Sequence, residues 1–174
     1  MVETRTRIAE RVRSRPGIHF NGLVRSLDLA TGQVQYHLQR LLANQEVIKA
    51  ELYGRTHYYP EGFDDWERRT LALLRRETTR DVVAVLFESG AARPNELTEE
   101  LELARSTLEW HLDHLVEQDV AVKRYNAANQ VTIELAHPEA TVELVREADP
   151  TLLGVMVSRF TRLVDRMLAE DLQA

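Results

Sequence analysis

Hydrophobic positions in the first 60 residues follow helical spacing and then turn β-prone. VETRTRIAERVRSR predicts a helix that stops at Pro16-Gly17, a pair that punctuates strongly. FNGLVRSL predicts a short second helix, with Leu23, Val24 and Leu27 at helical intervals. LDLATG reads as a tight turn. GQVQYHLQRLLANQ predicts a third helix with Val34, Leu38, Leu41 and Gln45 on one face. VIKAELY and THYYP are β-prone runs around Gly54-Arg55 and predict a hairpin.

The same order returns 74 positions later. Asn21, Leu23, Leu27, Leu29, Ala30, His37, Leu38, Leu41 and Lys49 meet identical residues at that offset: Asn95, Leu97, Leu101, Leu103, Ala104, His111, Leu112, Leu115 and Lys123. Val34 meets Leu108, Tyr36 meets Trp110 and Ile48 meets Val122. The matches concentrate on apolar positions, so the core is repeated and the surface is not. Two copies mean two small domains of similar fold, not a solenoid. RDVVAVLFES, PNELTEEL, RSTLEWHLDHLVEQ, VAVKRY and QVTIEL fill the second set of roles, with a hairpin turn at NAAN, residues 126–129.

Between the copies, FDDWERRTLALLRRETTR predicts a helical connector, since Gly and Ser are scarce. Asp64 or Asp65 is its expected cap and Arg76 its end, with Trp66, Thr70, Leu73 and Leu74 along one side. Thr78 or Thr79 is the expected start of the next helix. After the second copy, PEATVELVREA and TLLGVMVSRFTRLVDRMLAEDLQ predict two more helices, divided at Asp149-Pro150. The last carries a broad stripe of Leu152, Leu153, Met156, Phe160, Leu163, Val164, Met167 and Leu168. Such a stripe packs back onto its own chain or pairs with a second copy; dimerisation is the expectation.

Helix, short helix, turn, helix and β-hairpin is the winged helix-turn-helix order. The expected fold class is mainly α with small β-hairpin wings (α+β). The expected domains are 1–61, a connector over 62–78, a second winged helix over 79–137, and C-terminal helices over 138–174. DLATGQVQYHLQRLLANQEVIKAELYGRTHYY resembles the winged-helix domains of prokaryotic transcription regulators of the ArsR and MarR type. The apolar-x-x-His-Leu-x-x-Leu helix, the V-I-K strand and the Gly-Arg wing tip carry the likeness, which is greatest to tandem winged-helix regulators of halophilic archaea. It extends over residues 4–60 and, more loosely, 79–136. It implies binding of double-stranded DNA in transcription regulation. Winged helices also serve as docking modules, so an accessory factor of the transcription machinery is the alternative.

Turning about 100° per residue from Val34 places Gly32, Gln33, Gln35, Tyr36, Gln39 and Arg40 outward on the third helix. Gln pairs bidentately with adenine and Arg with guanine or phosphate. No acid interrupts this face. Thr31 is expected to cap the helix and offer its hydroxyl to a phosphate. Gly32 allows close backbone approach. Arg55 at the hairpin tip, with His57 and Lys49 nearby, completes the candidate DNA-binding set. The same rotation in the second copy turns Ser106, Thr107, Glu109, Trp110, Asp113 and His114 outward. Two carboxylates there oppose phosphate binding, and an outward Trp suits a protein contact. Trp110, Phe160, Leu163 and Met167 are the candidate protein-contact residues. His37 and His111 sit at the flank of the buried stripe, and the resemblance implies that they are structural. His111 and His114 stand three apart without an evident third ligand, so no metal is expected.

Charge sharpens the contrast. Residues 1–60 hold nine basic and five acidic side chains, a net of +4; residues 90–137 hold four and nine, a net of −5. A sign change between halves implies different partners. Of 22 basic residues only Lys49 and Lys123 are lysines, and the net charge is −6. That balance fits a GC-rich genome and, mildly, a salt-adapted host. Cysteine is absent, which excludes disulfides, thiol catalysis and thiolate metal sites. No apolar run spans a membrane, and the charged N-terminus lacks a signal-peptide core, so a cytoplasmic location and no membrane partner are expected. No glycine-rich phosphate loop or HExxH is present, so neither an enzyme nor a cofactor is expected. A small-molecule effector stays open.

Overall fold

The computed structural model describes residues 2–154 and Met156. The chain divides into two compact units, Met1–Arg75 and Arg76–Ala174. Unit 1 runs α1 (Val2–Ser14), β1 (Ile18–His19), α2 (Phe20–Leu27), α3 (Thr31–Ala43), β2 (Ile48–Leu52), β3 (Arg55–Tyr59) and α4 (Asp65–Leu74). Unit 2 runs α5 (Glu77–Ser89), β4 (Ala91–Ala92), α6 (Pro94–Leu101), α7 (Arg105–Glu117), β5 (Ala121–Tyr125), β6 (Val131–Leu135) and α8 (Pro138–Ala148). Each is a winged helix-turn-helix. Phe160, Leu163 and Met167, expected as protein contacts, lie outside the described residues.

The core of unit 1 is built from Ile8 and Val12 of α1, Ile18, Leu23 and Leu27 of α2, and Val34, Leu38 and Leu41 of α3. Val47 and Tyr58 close it from the hairpin side. A fully buried Leu or Ile contributes roughly 1.5–3 kcal/mol, so this cluster fixes how the three helices pack. Gln45, expected on the same stripe as Val34, is not part of it. Helix α3 ends at Ala43, and Gln45 is exposed with a left-handed φ of 60°.

The backbone repeats as closely as the apolar positions do. Asp28 and Glu102, 74 apart, end α2 and α6 in the left-handed conformation, at φ 51° and 52°. Gln45 and Asp119, also 74 apart, turn the chain after α3 and α7 at φ 60° and 56°. The helix-turn-helix bend is therefore the same in both units.

Each sheet has three antiparallel strands, ordered β1-β3-β2 and β4-β6-β5. The outer two-residue strands were not expected, because two residues carry no readable alternation. In unit 1, Ile18 pairs with Tyr58 and His19 with His57. The wing pairs Ile48 with Tyr59 through Leu52 with Arg55. Its two-residue turn is Tyr53-Gly54, at φ 53° and 76°. Positive φ at both central residues matches the twist of the flanking strands.

The expected connector helix belongs to unit 1. Asp64 caps α4 in a capping box: its carboxylate accepts from Glu67 N at 2.8 Å, and the Glu67 carboxylate accepts from Asp64 N at 2.8 Å. Tyr59 Oη donates to Arg68 O at 2.7 Å. Burial pushes the Tyr59 phenol up, so it is a neutral donor. Arg75 donates from Nε at 3.0 Å and Nη2 at 2.7 Å to one acceptor, Pro16 O. Helix α4 ends at Leu74, short of Arg76, and α5 starts at Glu77 with Arg76 as its N-cap. Thr79 is therefore an interior residue of α5, not its start.

Gly17 holds the turn between α1 and β1 at φ +81°, with a Cβ position 3.3 Å from a Tyr59 ring carbon and 3.4 Å from Leu71. Both neighbours are fully buried and cannot yield. Gly17→Ala combines left-handed strain of about 1–2 kcal/mol with this contact. We expect it to lower the urea midpoint of unit 1 by at least that equivalent; an unchanged midpoint would show that the turn relaxes freely.

Candidate nucleic-acid interface

Helix α3 presents two faces as the 3.6-residue period demands. Val34, His37, Leu38 and Leu41 are buried; Thr31, Gly32, Gln33, Gln35, Tyr36, Gln39 and Arg40 are exposed. Tyr36 is 45% exposed, and the Arg40 guanidinium lies 4.8 Å from its ring centroid. This i, i+4 contact lays a cation along an aromatic surface on the outer face. Thr31 is not the cap that its residue type suggested. It is the first helical residue, and Ala30 stands at the N-cap without any side-chain cap. The first turn of α3 also holds no acid. Its N-terminus thus keeps the positive end of the helix dipole uncovered by carboxylate, a setting that favours anions.

The wing supplies two further cations. Lys49 is exposed on β2 and has no ion pair among the described residues. Arg55 is exposed and opens β3, immediately after the Tyr53-Gly54 turn. His57 does not join them. Two residues along the strand it faces the interior, 1% exposed, with Nδ1 2.6 Å from Gly17 O. Alternation along β3 sends Arg55 and His57 to one side of the strand, but His57 lies where β3 is the central strand, paired with both Ala50 and His19. The third strand beside it is the short β1, which the sequence did not disclose.

In unit 2 the matching surface is occupied by internal ion pairs. Arg105 Nε donates to Glu109 Oε1 at 2.8 Å, and Arg105 Nη1 donates to Asn95 Oδ1 at 3.0 Å. Lys123 Nζ stands 3.8 Å from Glu109 Oε2 and 3.5 Å from Asp113 Oδ1. Trp110 is 40% exposed. The Arg76 guanidinium lies 4.9 Å from its ring centroid, and the His114 ring meets it edge-on at 4.2 Å. The sequence offered a signal for this network: two acids one helical turn apart on α7, and a lysine at the repeated strand position. Arg76, distant in sequence from Trp110, offered none.

The two repeated histidines occupy matching places on α3 and α7. His37 and His111 are both buried. His111 Nδ1 is 2.7 Å from Thr79 Oγ1. Burial, with Arg76 and His114 nearby, holds the His111 imidazole below its ordinary value. Among the described residues no cluster of His, Asp and Glu could hold a metal ion.

Residues 2–71 match a family model described as an N-terminal HTH domain. That span runs from α1 into α4, so the matched domain includes the helix that caps unit 1. No curated protein sequence matches the chain. Among solved structures, YusO protein from Bacillus subtilis is similar at 14% identity and a TM-score of 0.41, over 82% of this chain and 94% of that one. Wild-type MarR in its apo form from E. coli is similar at 17% identity and a TM-score of 0.38, over 63% and 87%. A Lactococcus lactis ZitR variant is similar at 15% identity and a TM-score of 0.38, over 87% and 93%. Among the described residues no helix is long and apolar enough to cross a membrane.

A buried imidazole with a lowered pKa stabilises the fold fully above the ordinary value of about 6.5. As pH falls below that, the unfolded chain takes the proton more readily and the contribution is lost. We therefore expect the urea midpoint of unit 2 to fall between about pH 7.5 and about pH 5.5. In His111→Gln the slope over that window should flatten; an equal slope would place the titration elsewhere.

Proposed function

We propose that the protein is a DNA-binding transcription regulator in which unit 1 reads duplex DNA. Helix α3 enters the major groove; Gln33, Gln35 and Gln39 meet base edges, and Arg40 meets guanine or phosphate. Thr31, Gly32, Tyr36 and Lys49 approach the backbone, and Arg55 at the wing tip meets the flanking groove. The single observation that carries this reading is the exposed, acid-free face of α3 beside an uncapped, acid-free helix start. A domain family described as helix-turn-helix over the same residues supports it.

The protein acts as a homodimer in this reading, paired through the C-terminal apolar stripe of the sequence. Two-fold symmetry then sets two copies of α3 on half-sites about one helical turn apart, ~34 Å. A second reading, a protein-docking role, is favoured for unit 2 by Trp110, a large aromatic left 40% exposed.

Fluorescence anisotropy against promoter fragments, with a scrambled duplex beside them and salt varied, tests the proposal. Arg40→Glu should weaken preferential binding about tenfold or more, the loss of one good contact at ~1–3 kcal/mol. Lys49→Gln should weaken all sequences alike and make the log–log salt slope shallower by about 1. Equal binding by wild type and Arg40→Glu would remove α3 from the interface.

A further inference from the structure

Superposing the two units by sequence register pairs Gln35 with Glu109, Gln39 with Asp113, and Lys49 with Lys123. The lysine is identical and the backbone around it is repeated. What differs is the pair of side chains on the recognition-type helix. In unit 1 they are neutral amides, and Lys49 is exposed. In unit 2 they are carboxylates, and Lys123 lies within 3.8 Å of one and 3.5 Å of the other. Arg105, at the position of Thr31, is likewise drawn onto Glu109 at 2.8 Å.

These pairs are half-exposed, and exposed ion pairs add little to stability. Their effect is on what the face offers to a polyanion. DNA affinity comes largely from cations that neutralise phosphates and release counterions. A cation already neutralised by its own domain has less to give, and the carboxylates repel the phosphates that would replace them. The N-terminus of α7 is otherwise like that of α3: Ala104 stands at the N-cap with no side-chain cap, and the first turn has no acid. Two cations, an uncapped helix start and a wing are all present in unit 2. Two carboxylates withhold them.

We propose that Glu109 and Asp113 are specificity-determining residues that close the α7 face of unit 2 to nucleic acid, by holding Lys123 and Arg105 within the domain. Unit 2 is a winged helix with its phosphate-binding groups intact but internally neutralised. The inference rests on the reading of unit 1 for its comparison of side chains, yet its outcome is separable.

The test is anisotropy of the full chain with a labelled mixed-sequence duplex over a salt titration. Glu109→Gln with Asp113→Gln gives unit 2 the amides of unit 1. This variant should bind more tightly, with a log–log salt slope steeper by about 1 to 2, one or two phosphates gained. The gain should persist when unit 1 is disabled by Gln35→Glu with Gln39→Asp, shrink on adding Lys123→Gln, and vanish on adding Lys123→Gln together with Arg105→Gln. Glu99→Gln with Glu139→Gln removes the same charge from exposed positions elsewhere on unit 2; an equal gain there would overturn the inference, as would no gain from the α7 pair. Lys123→Gln alone, which leaves the carboxylates in place, should not weaken wild-type binding, whereas a loss would show that Lys123 already meets phosphate. If wild type binds no duplex at any salt, the reading of unit 1 fails, while a gain from the α7 pair still sustains the inference about unit 2.

Discussion

Burial of Val34, Leu38 and Leu41 against Ile8, Val12, Leu23 and Leu27 leaves α3 only one rotation about its axis. Because successive residues turn by about 100°, fixing the apolar stripe also fixes the opposite side. Gln33, Gln35, Gln39 and Arg40 have to face outward, together and in order. The outward surface of α3 is therefore a by-product of core packing. Any change that rotates α3 would scatter these side chains before it unfolded the domain.

The turns make that packing repeatable. Non-glycine residues hold left-handed conformations after α2 and α6 and after α3 and α7, at matched positions. Such conformations are strained for L-residues, and persist where surrounding structure over-determines them. The packing of the apolar stripes on either side supplies that determination. In unit 1 the wing adds a second layer: Tyr59 and Arg75 tie α4 to the hairpin and to the α1–β1 turn through main-chain carbonyls. The connector helix thus belongs to the same compact unit as the hairpin, and the matched helix-turn-helix span likewise runs into it, to residue 71.

On this shared frame the two units keep an apolar core, with exchanges such as Val34 for Leu108 and Tyr59 for Ile133, and differ in chemical character at the surface. Unit 1 sets amides, an arginine over a tyrosine ring, and a lysine toward solvent. Unit 2 sets carboxylates that neutralise its own cations, and a tryptophan beneath an arginine brought from the start of α5. Part of the difference in sign between the halves of the chain lies at these equivalent helix faces, and part on α6, where Glu96, Glu99 and Glu100 stand against the single Arg25 of α2. The core positions stay apolar in both units because burial requires it; outward positions carry no such constraint.

Periodicity alone determined the helices α1, α2, α3 and their copies, the two hairpins, and the outward face of α3, because each is a local matter of spacing. It placed His37 and His111 at the flank of an apolar stripe; that both are buried came from the structure. Contacts between segments far apart in sequence were decided only by the tertiary structure. His57 looked like a wing residue until a two-residue strand, β1, paired beside it and set Gly17 O against its ring. Thr31 looked like a cap, but the chain enters α3 one residue earlier than a capping threonine requires, which makes Thr31 the first helical residue. Gln45 fell on the helical stripe in sequence, but α3 had already ended. The pairing of Lys123 with Glu109 and Asp113 needed the hairpin to fold back beside α7. Local spacing encodes which way a side chain faces along its own element; what meets it there depends on chain segments that sequence distance does not bring together.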